Sequence, residues 1–286
     1  MTLKNNFSKL LSVLMAAAVI SSCQKMSRPA LGNYPEDHTV TPTTALRFYV
    51  PFDSTSADAS QINIRFADSI SGYPSFFPDK SISYVAGIHG TAYYSTSGYF
   101  LTYYNANDFA STAQSFTVAF WEKRNGRPDG DAQFPFAFQS TNGHWAGTAM
   151  MLLFDHQGAG ATNDSAVLKF VLVDKNVSDN WFVWDGSHKI KGIQDNNWHH
   201  LAFTYDATNS TMSLYVDGVL NAWTQTWGTH GNANLDAAKV SAVKIGGRPI
   251  ENLGWGKSWA GGIDQFRLYN KVLSAAEVQA LVANKQ

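Results

Sequence analysis

WHHLAFTYDATNSTMSLYVDG, from Trp198 to Gly218, holds two stretches of strict alternation around a polar break. Leu201, Phe203 and Tyr205 take every second position before residues 206–210, and Met212, Leu214 and Val216 do so after them. Successive side chains of a strand point to opposite faces, so the two runs read as antiparallel strands sharing one apolar face. Asp217-Gly218 then supplies a pair that tolerates positive φ, and Val219 and Leu220 continue beyond it, making a three-stranded meander. Such a sheet must cover its apolar face, which calls for a second sheet packed about 10 Å away.

Working outward, residues 46–53 alternate through Phe48, Val50 and Phe52, with Pro51 marking an edge or a strand end. Further strands are expected at residues 116–121, 136–138, 150–154, 167–173 and 181–184, separated by Gly-, Asn- and Asp-rich breaks. Residues 54–83 read as irregular, their cluster Tyr73-Pro-Ser-Phe-Phe-Pro78 as a loop packed over one sheet. No segment before Ser274 has helical period. There, Ser274 with Glu277 three positions on forms a capping-box pattern that opens one short C-terminal helix. The expected fold is all-β, an antiparallel two-sheet jelly-roll sandwich ending in that helix, as one domain over residues 45–286 with no internal repeat.

The words WHHLAFTYD and LYVDG, FTVAFW at residues 116–121, KIGG at 244–247 and the closing WAGGIDQFRLYNKVLSAAEVQAL together resemble the laminin-G-like members of the concanavalin A-like lectin/glucanase superfamily. GIHGTA at residues 87–92 resembles the same family's G-x-x-G-x-A word leading into a strand. The resemblance implies the sandwich fold, with glycans as frequent ligands on a concave sheet or its loop rim. It leaves the activity of an individual member open.

Lys4 and Lys9 precede an apolar run from Leu10 to Ile20, which has the length of a signal-peptide core and is short for a membrane span. The single Cys of the chain, Cys23, follows Ile20-Ser21-Ser22, a sequence resembling the bacterial lipobox. Residues 1–22 are therefore expected to be a lipoprotein signal peptide, and residues 23–44 a lipidated Cys23 with a polar, Pro-containing tether. Gln24 after the Cys points to an outer-membrane, cell-surface lipoprotein held through its lipid anchor. A net charge of −1 and the lack of a long basic run argue against nucleic acid as the partner. Without a second Cys there is no disulfide or Cys-based metal site.

Glycan-cleaving enzymes of the superfamily carry carboxylates at alternate positions of one strand, E-x-D-x-E, which places them on one face at catalytic spacing. That word does not occur here. Glu122 stands beside Lys123 and Arg124, and Asp129 and Asp131 fall in a Pro/Gly loop. No HxH or HExxH word occurs, and the resemblance gives the His199-His200 pair a packing role. The chain is expected to be non-catalytic, with glycoside hydrolysis as an alternative and a protein-binding adhesion or assembly module of the cell envelope as another.

Nine Trp is many for one domain. Trp121, Trp198 and Trp259 lie inside family words and read as core. Trp145, Trp181, Trp184, Trp223, Trp227 and Trp255 sit in polar segments, and a pyranose stacks its C–H face on such rings while amides and charged groups pair with its hydroxyls. Asn180 and Asp185 flank Trp181 and Trp184; His230 follows Trp223 and Trp227; Arg248 and Asn252 precede Trp255. These eleven residues are the expected glycan contacts, and packing in the core is the competing role for each Trp.

Asp264 shares parity with Phe266 and Leu268 in GGIDQFRLY, so its carboxylate is expected to point inward, where an anion needs a partner. Two readings follow. One is a structural Ca²⁺, implied by relatives with the G-x-I-D word, with Asp53 as a second oxygen ligand. The other is a metal-free hydrogen-bond hub joining the first strand to the last.

Overall fold

The protein is described by a computed structural model over residues 40–53, 66–76, 82–96, 98–176 and 179–285. Cys23, the signal peptide and the tether up to residue 39 lie outside the described residues.

Two sheets form. The first runs β13 (Val219–Leu220), β12 (Thr211–Val216), β11 (Asp195–Asp206), β5 (Phe116–Asn125), β17 (Ala260–Tyr269), β3 (Thr91–Thr96), β2 (Ser83–Ala86), with β1 (Leu46–Val50) also on β17 and β14 (Gln225–Thr226) on β12. The second runs β10 (Ile190–Lys191), β8 (Ser165–Val173), β7 (Thr148–Asp155), β6 (Ala132–Ser140), β15 (Val240–Ile245), β4 (Leu101–Tyr103), with β9 (Asp179–Trp184) on β8 and β16 (Gly256–Ser258) on β6. Among the described residues every strand pairing is antiparallel except β16 on β6.

The meander carries the register of the first sheet. Leu201 faces Phe120 and Val216, Phe203 faces Val118 and Leu214, and Tyr205 faces Phe116 and Met212. These rows, Val216 being half-buried, meet the second sheet through contacts such as Phe203 on Phe170, ring centroids 5.3 Å apart. Each fully buried Leu or Phe contributes about 1.5–3 kcal/mol of burial free energy, so this seam outweighs any single turn. Asp217 takes φ 50°, as the Asp-Gly turn requires, while Val219 and Leu220 on the edge strand remain exposed.

The second sheet is apolar on both faces. Met150, Leu152, Phe154, Leu168, Phe170 and Leu172 point into the sandwich, whereas Met151, Leu153, Val171 and Val173 form a second cluster with Phe134, Ala137 and Leu253 on the outer face. Continuous apolar runs in a sequence signal a strand covered on both sides. The outer cover here is the segment between β15 and β16, which lays Ile250 and Trp255 over that face together with Trp181.

Three local features depart from the sequence reading. A one-turn helix α1 (Phe109–Thr112) precedes β5; a single turn is too short to display a helical period. A 3-10 turn spans Gly186–His188. Last, β17 is bulged: Asp264 faces Trp121 and Arg267 faces Ala119, so one extra residue is absorbed, with Gln265 at φ 49°. Ile263, Phe266 and Leu268 all join the core, and Asp264 therefore lies on the outer face beside Trp121, not inward as its parity with Phe266 predicts. The C-terminal helix α2 (Ala275–Asn284) has the expected capping box between Ser274 and Glu277.

Candidate functional site

On the outer face of the second sheet, three of the expected tryptophans converge. Trp145 is 56% exposed, and Trp181 and Trp255 are half-buried. The Trp145 and Trp181 rings are parallel within 2° at a centroid distance of 6.4 Å, and Trp255 lies 5.8 Å from Trp145 at 44°. With Gly130, Asp131, Leu153, Asp155, His156, Gln157 and Lys169 they line a groove of about 300 Å³.

Each ring is held. The Trp181 indole N–H donates to Asp179 Oδ2 at 2.7 Å, and His144 Nε2 lies 3.2 Å from the same oxygen. His144 Nδ1 accepts the Ala146 N–H, and Asn142 spans the turn by taking the His144 N–H and donating to Thr148 O, which orients Trp145. Trp255 packs on Phe134, 5.6 Å between centroids. Arg248 donates to Gly256 O at 2.7 Å and to Leu253 O at 3.5 Å, so its guanidinium ties the segment that carries Trp255. Arg248 is thus a positioning residue outside the groove, a correction to its expected place among the contacts.

The polar groups of the groove escaped the sequence reading as ligand contacts. Lys169 forms an ion pair with Asp155 Oδ2, and Asp155 Oδ1 accepts the Gln157 N–H at 2.9 Å. Burial pushes the Asp155 carboxyl up, but the Lys169 and backbone hydrogen bonds outweigh it and hold it below its ordinary range. His156 Nδ1 is engaged by Pro128 O at 2.5 Å. The available signal was Lys169 as the one charge inside an apolar strand, and Asp-His-Gln-Gly directly after another.

The other expected contacts go elsewhere. Trp184 is fully buried against Phe203 of the first sheet, and its indole N–H donates to Trp223 O at 3.2 Å. It sits three positions from Trp181 on one strand and so on the opposite face, and Asn180 shares its parity. Trp227 is half-buried against Phe182 and Tyr205, with its ring stacked on His230 at 3.6 Å. Trp223 is 39% exposed and stacks on His188 at 3.8 Å. Asn180, Asp185, Trp223, Trp227 and the exposed Asn252 do not line the groove, and His230 lines a separate cavity. Of the tryptophans expected in the core, Trp121 and Trp259 are buried and Trp198 is half-buried over Gly262.

Asp53 and Asp264 meet at the turn between β2 and β3. Asp264 Oδ2 accepts the Ile88 N–H at 2.7 Å and Oδ1 the Gln265 N–H at 2.8 Å. Asp53 Oδ1 accepts the Thr91 N–H at 3.0 Å and Oδ2 pairs with His89 Nδ1 at 2.9 Å. Gly87 and Gly90 are required, since a Cβ on either would strike one of these carboxylates. Burial, with the neighbouring Asp53 charge, pushes Asp264 up to about 7 against the pull of its two backbone donors.

Both histidines of the pair are engaged by neighbouring side chains. His200 is fully buried edge-on to Trp121 at 5.2 Å, and burial pushes it down to about 3, so it is neutral. His199 bridges Asp217 Oδ2 at 2.8 Å and Asp195 Oδ1 at 3.0 Å, and the Asp217 bond above all, opposed by burial, raises it to about 9. A folded-state value above the unfolded 6.5 means that this contribution is complete below pH 6.5 and fades as pH rises through 9. Replacing His199 by Asn is expected to destabilise the domain more at pH 6 than at pH 9.5 in urea titrations; an equal loss at both would show that the charge contributes nothing.

Residues 95–279 match the profile of a laminin G-type family described as the concanavalin A-like lectin/glucanases superfamily. Among curated proteins, the mouse Sushi, von Willebrand factor type A, EGF and pentraxin domain-containing protein 1 is 25% identical over 54% of this chain, and the rat protein 28% over 40%. The alignments span only 4% and 3% of those two proteins. Among solved structures, domain 4 of an extracellular arabinanase from Geobacillus stearothermophilus, in complex with arabinotriose, superposes with a TM-score of 0.55 at 18% identity, over 83% of this chain and 98% of that one. The binding domain of botulinum neurotoxin serotype G superposes with a TM-score of 0.57 at 13% identity, over 84% and 51%. At such identities the likeness is one of fold.

Proposed function

We propose that this chain, which belongs to the concanavalin A-like lectin/glucanases superfamily, is a non-catalytic glycan-binding protein whose ligand lies along Trp145, Trp181 and Trp255. The carrying observation is the convergence of three indole rings from distant segments on one groove floored by apolar side chains and edged by Asp131, Asp155, Gln157 and Lys169. Aromatic plates interleaved with hydrogen-bonding groups suit a sugar chain, whereas a protein-binding surface favours a flat contiguous apolar patch. The arabinanase domain in complex with arabinotriose supports this reading by analogy of fold.

A non-catalytic role is supported by the state of the carboxyls. Asp155, one of two carboxylates lining the groove, spends both oxygens on Lys169 and the Gln157 N–H and is held below its ordinary range, which does not suit the proton donor a glycosidase needs, and Asp131 lies 3.9 Å from Lys257 with its side chain 40% exposed. Glu122 is raised well above its ordinary range by burial, but it is fully buried and lines no part of the groove. The test is a glycan array probed with the full chain in detergent, followed by product analysis on each glycan retained. Retention without cleavage is expected. Released sugar would make the protein a hydrolase, and a blank array with specific capture of an envelope protein would make it an adhesion or assembly module.

We also propose that Cys23 is lipidated and anchors the protein at the outer membrane, on the strength of Ile20-Ser-Ser-Cys23 behind an apolar run. Cys23→Ser is expected to move the protein from the membrane pellet to the soluble fraction. A variant that still pellets after a high-salt wash would refute the anchor.

For Asp53 and Asp264 we propose the hydrogen-bond hub, with structural Ca²⁺ as the reading it competes against. Four donors, one to each carboxylate oxygen, tie the end of β1, the turn before β3 and β17 together, and the remaining lone pairs are what a cation would use. Asp264→Ala is expected to cost about 1–3 kcal/mol by leaving buried N–H groups unpaired. The hub predicts a melting temperature indifferent to EGTA; a fall that added Ca²⁺ reverses would assign the ion to these two carboxylates.

A further inference from the structure

A second cavity, of about 550 Å³, opens where α1, the turn after β8 and the segment before β15 meet, and it shares no lining residue with the tryptophan groove. Its floor is apolar, made by Ala110, Ala113, Ala233 and Leu235, and its rim carries Gln114, Asn176, Asn232 and Asn234. Asp174 is almost wholly buried beneath that rim. Its Oδ1 accepts the Asn176 N–H at 2.8 Å, and its Oδ2 takes the Asn234 N–H at 2.9 Å and His230 Nε2 at 3.0 Å. His230 is fixed from its other side by the stack on Trp227. The backbone bonds Ala233 N–H to Gln114 O at 2.9 Å and Lys175 N–H to Asn234 O at 2.8 Å join the three segments.

The backbone around the cavity is thus locked by one buried carboxylate, while the four rim amides make no side-chain hydrogen bond among the described residues. An amide both donates and accepts, which is what vicinal hydroxyls require, and an apolar floor of small side chains admits the C–H face of a ring. Charged ligands are poorly matched: Asp174 is the single carboxylate in the lining, it is committed to three donors, and no Lys or Arg lines the cavity. A pre-ordered backbone also lowers the entropy cost of binding.

We propose that this cavity is a second saccharide site, separate from the groove, which takes one uncharged sugar residue or chain end through Asn176, Asn232, Asn234 and Gln114. The inference stands on its own lining residues and not on the groove reading.

The test is NMR of the ¹⁵N-labelled full chain in detergent, titrated separately with D-glucose, D-galactose, D-mannose, L-arabinose and N-acetylglucosamine. At least one sugar is expected to shift the side-chain amide signals of the four rim residues. The shifts should persist in Trp145→Ala/Trp181→Ala and weaken at least tenfold in apparent affinity in Asn232→Ala/Asn234→Ala, whose backbone spectrum reports whether it is folded. Rim shifts that vanish with the groove tryptophans would reduce the two sites to one and overturn the proposal. So would indole shifts without rim shifts, or rim amides that ignore all five sugars. Rim shifts with silent groove indoles would sustain this site and show that it binds without the groove.

Discussion

Trp184→Ala is expected to lower the unfolding free energy by about 3–5 kcal/mol, the loss of a large buried aromatic. The indole is fully buried, meets Phe203 of the facing sheet edge-on at 5.5 Å, and donates its N–H to Trp223 O. Truncation therefore opens a cavity between the sheets and also leaves a carbonyl without its donor. Trp145, 56% exposed, provides the contrast, and Trp145→Ala is expected to stay within about 1 kcal/mol of wild type. Urea unfolding of both variants checks this. Equal, small losses would show that Trp184 is not the cross-sheet anchor described above.

The largest functional effect is expected from the groove. Trp145→Ala and Trp181→Ala should each weaken glycan binding tenfold or more, about 1.4 kcal/mol, and the double variant should bring a ligand of micromolar to millimolar affinity below detection by calorimetry. Trp181 also covers part of the outer apolar cluster and donates to Asp179, so its truncation carries a larger stability cost than that of the more exposed Trp145. Binding that survives the double variant in a folded protein would move the ligand off this groove. Arg248→Ala is a useful control, because it frees the segment bearing Trp255 without removing any groove-lining side chain.

The hairpin around residues 206–210 was legible because a strand's period of two is a local property: alternation at 201–205 and 212–216 leaves only one way to bury both runs. The Ser274 cap and its Glu277 partner were legible for the same reason, being three residues apart. The strands themselves at residues 150–154 and 167–173 were legible too, but not that β7 and β8, the latter broken only by Lys169, are covered on both faces.

What the sequence by itself determined was thus everything set within a few residues: strand periods, turns, the helix cap and the family words. Which tryptophans are available to a ligand was decided only by the tertiary structure. Trp181 and Trp184 share one polar-flanked strand and must face opposite ways, yet the face buried between the sheets is chosen by the packing of Phe182 and Trp184 against Phe203, Tyr205 and Trp227. Trp145 and Trp255 reach Trp181 through a side-chain-stapled turn and a segment pinned by Arg248, contacts between distant parts of the chain that carry no periodic signal. At Asp264 the bulge at Gln265 reversed the parity on which a local reading depends. A single backbone residue at positive φ moves every following side chain to the other face, and alternation alone holds no record of that extra residue.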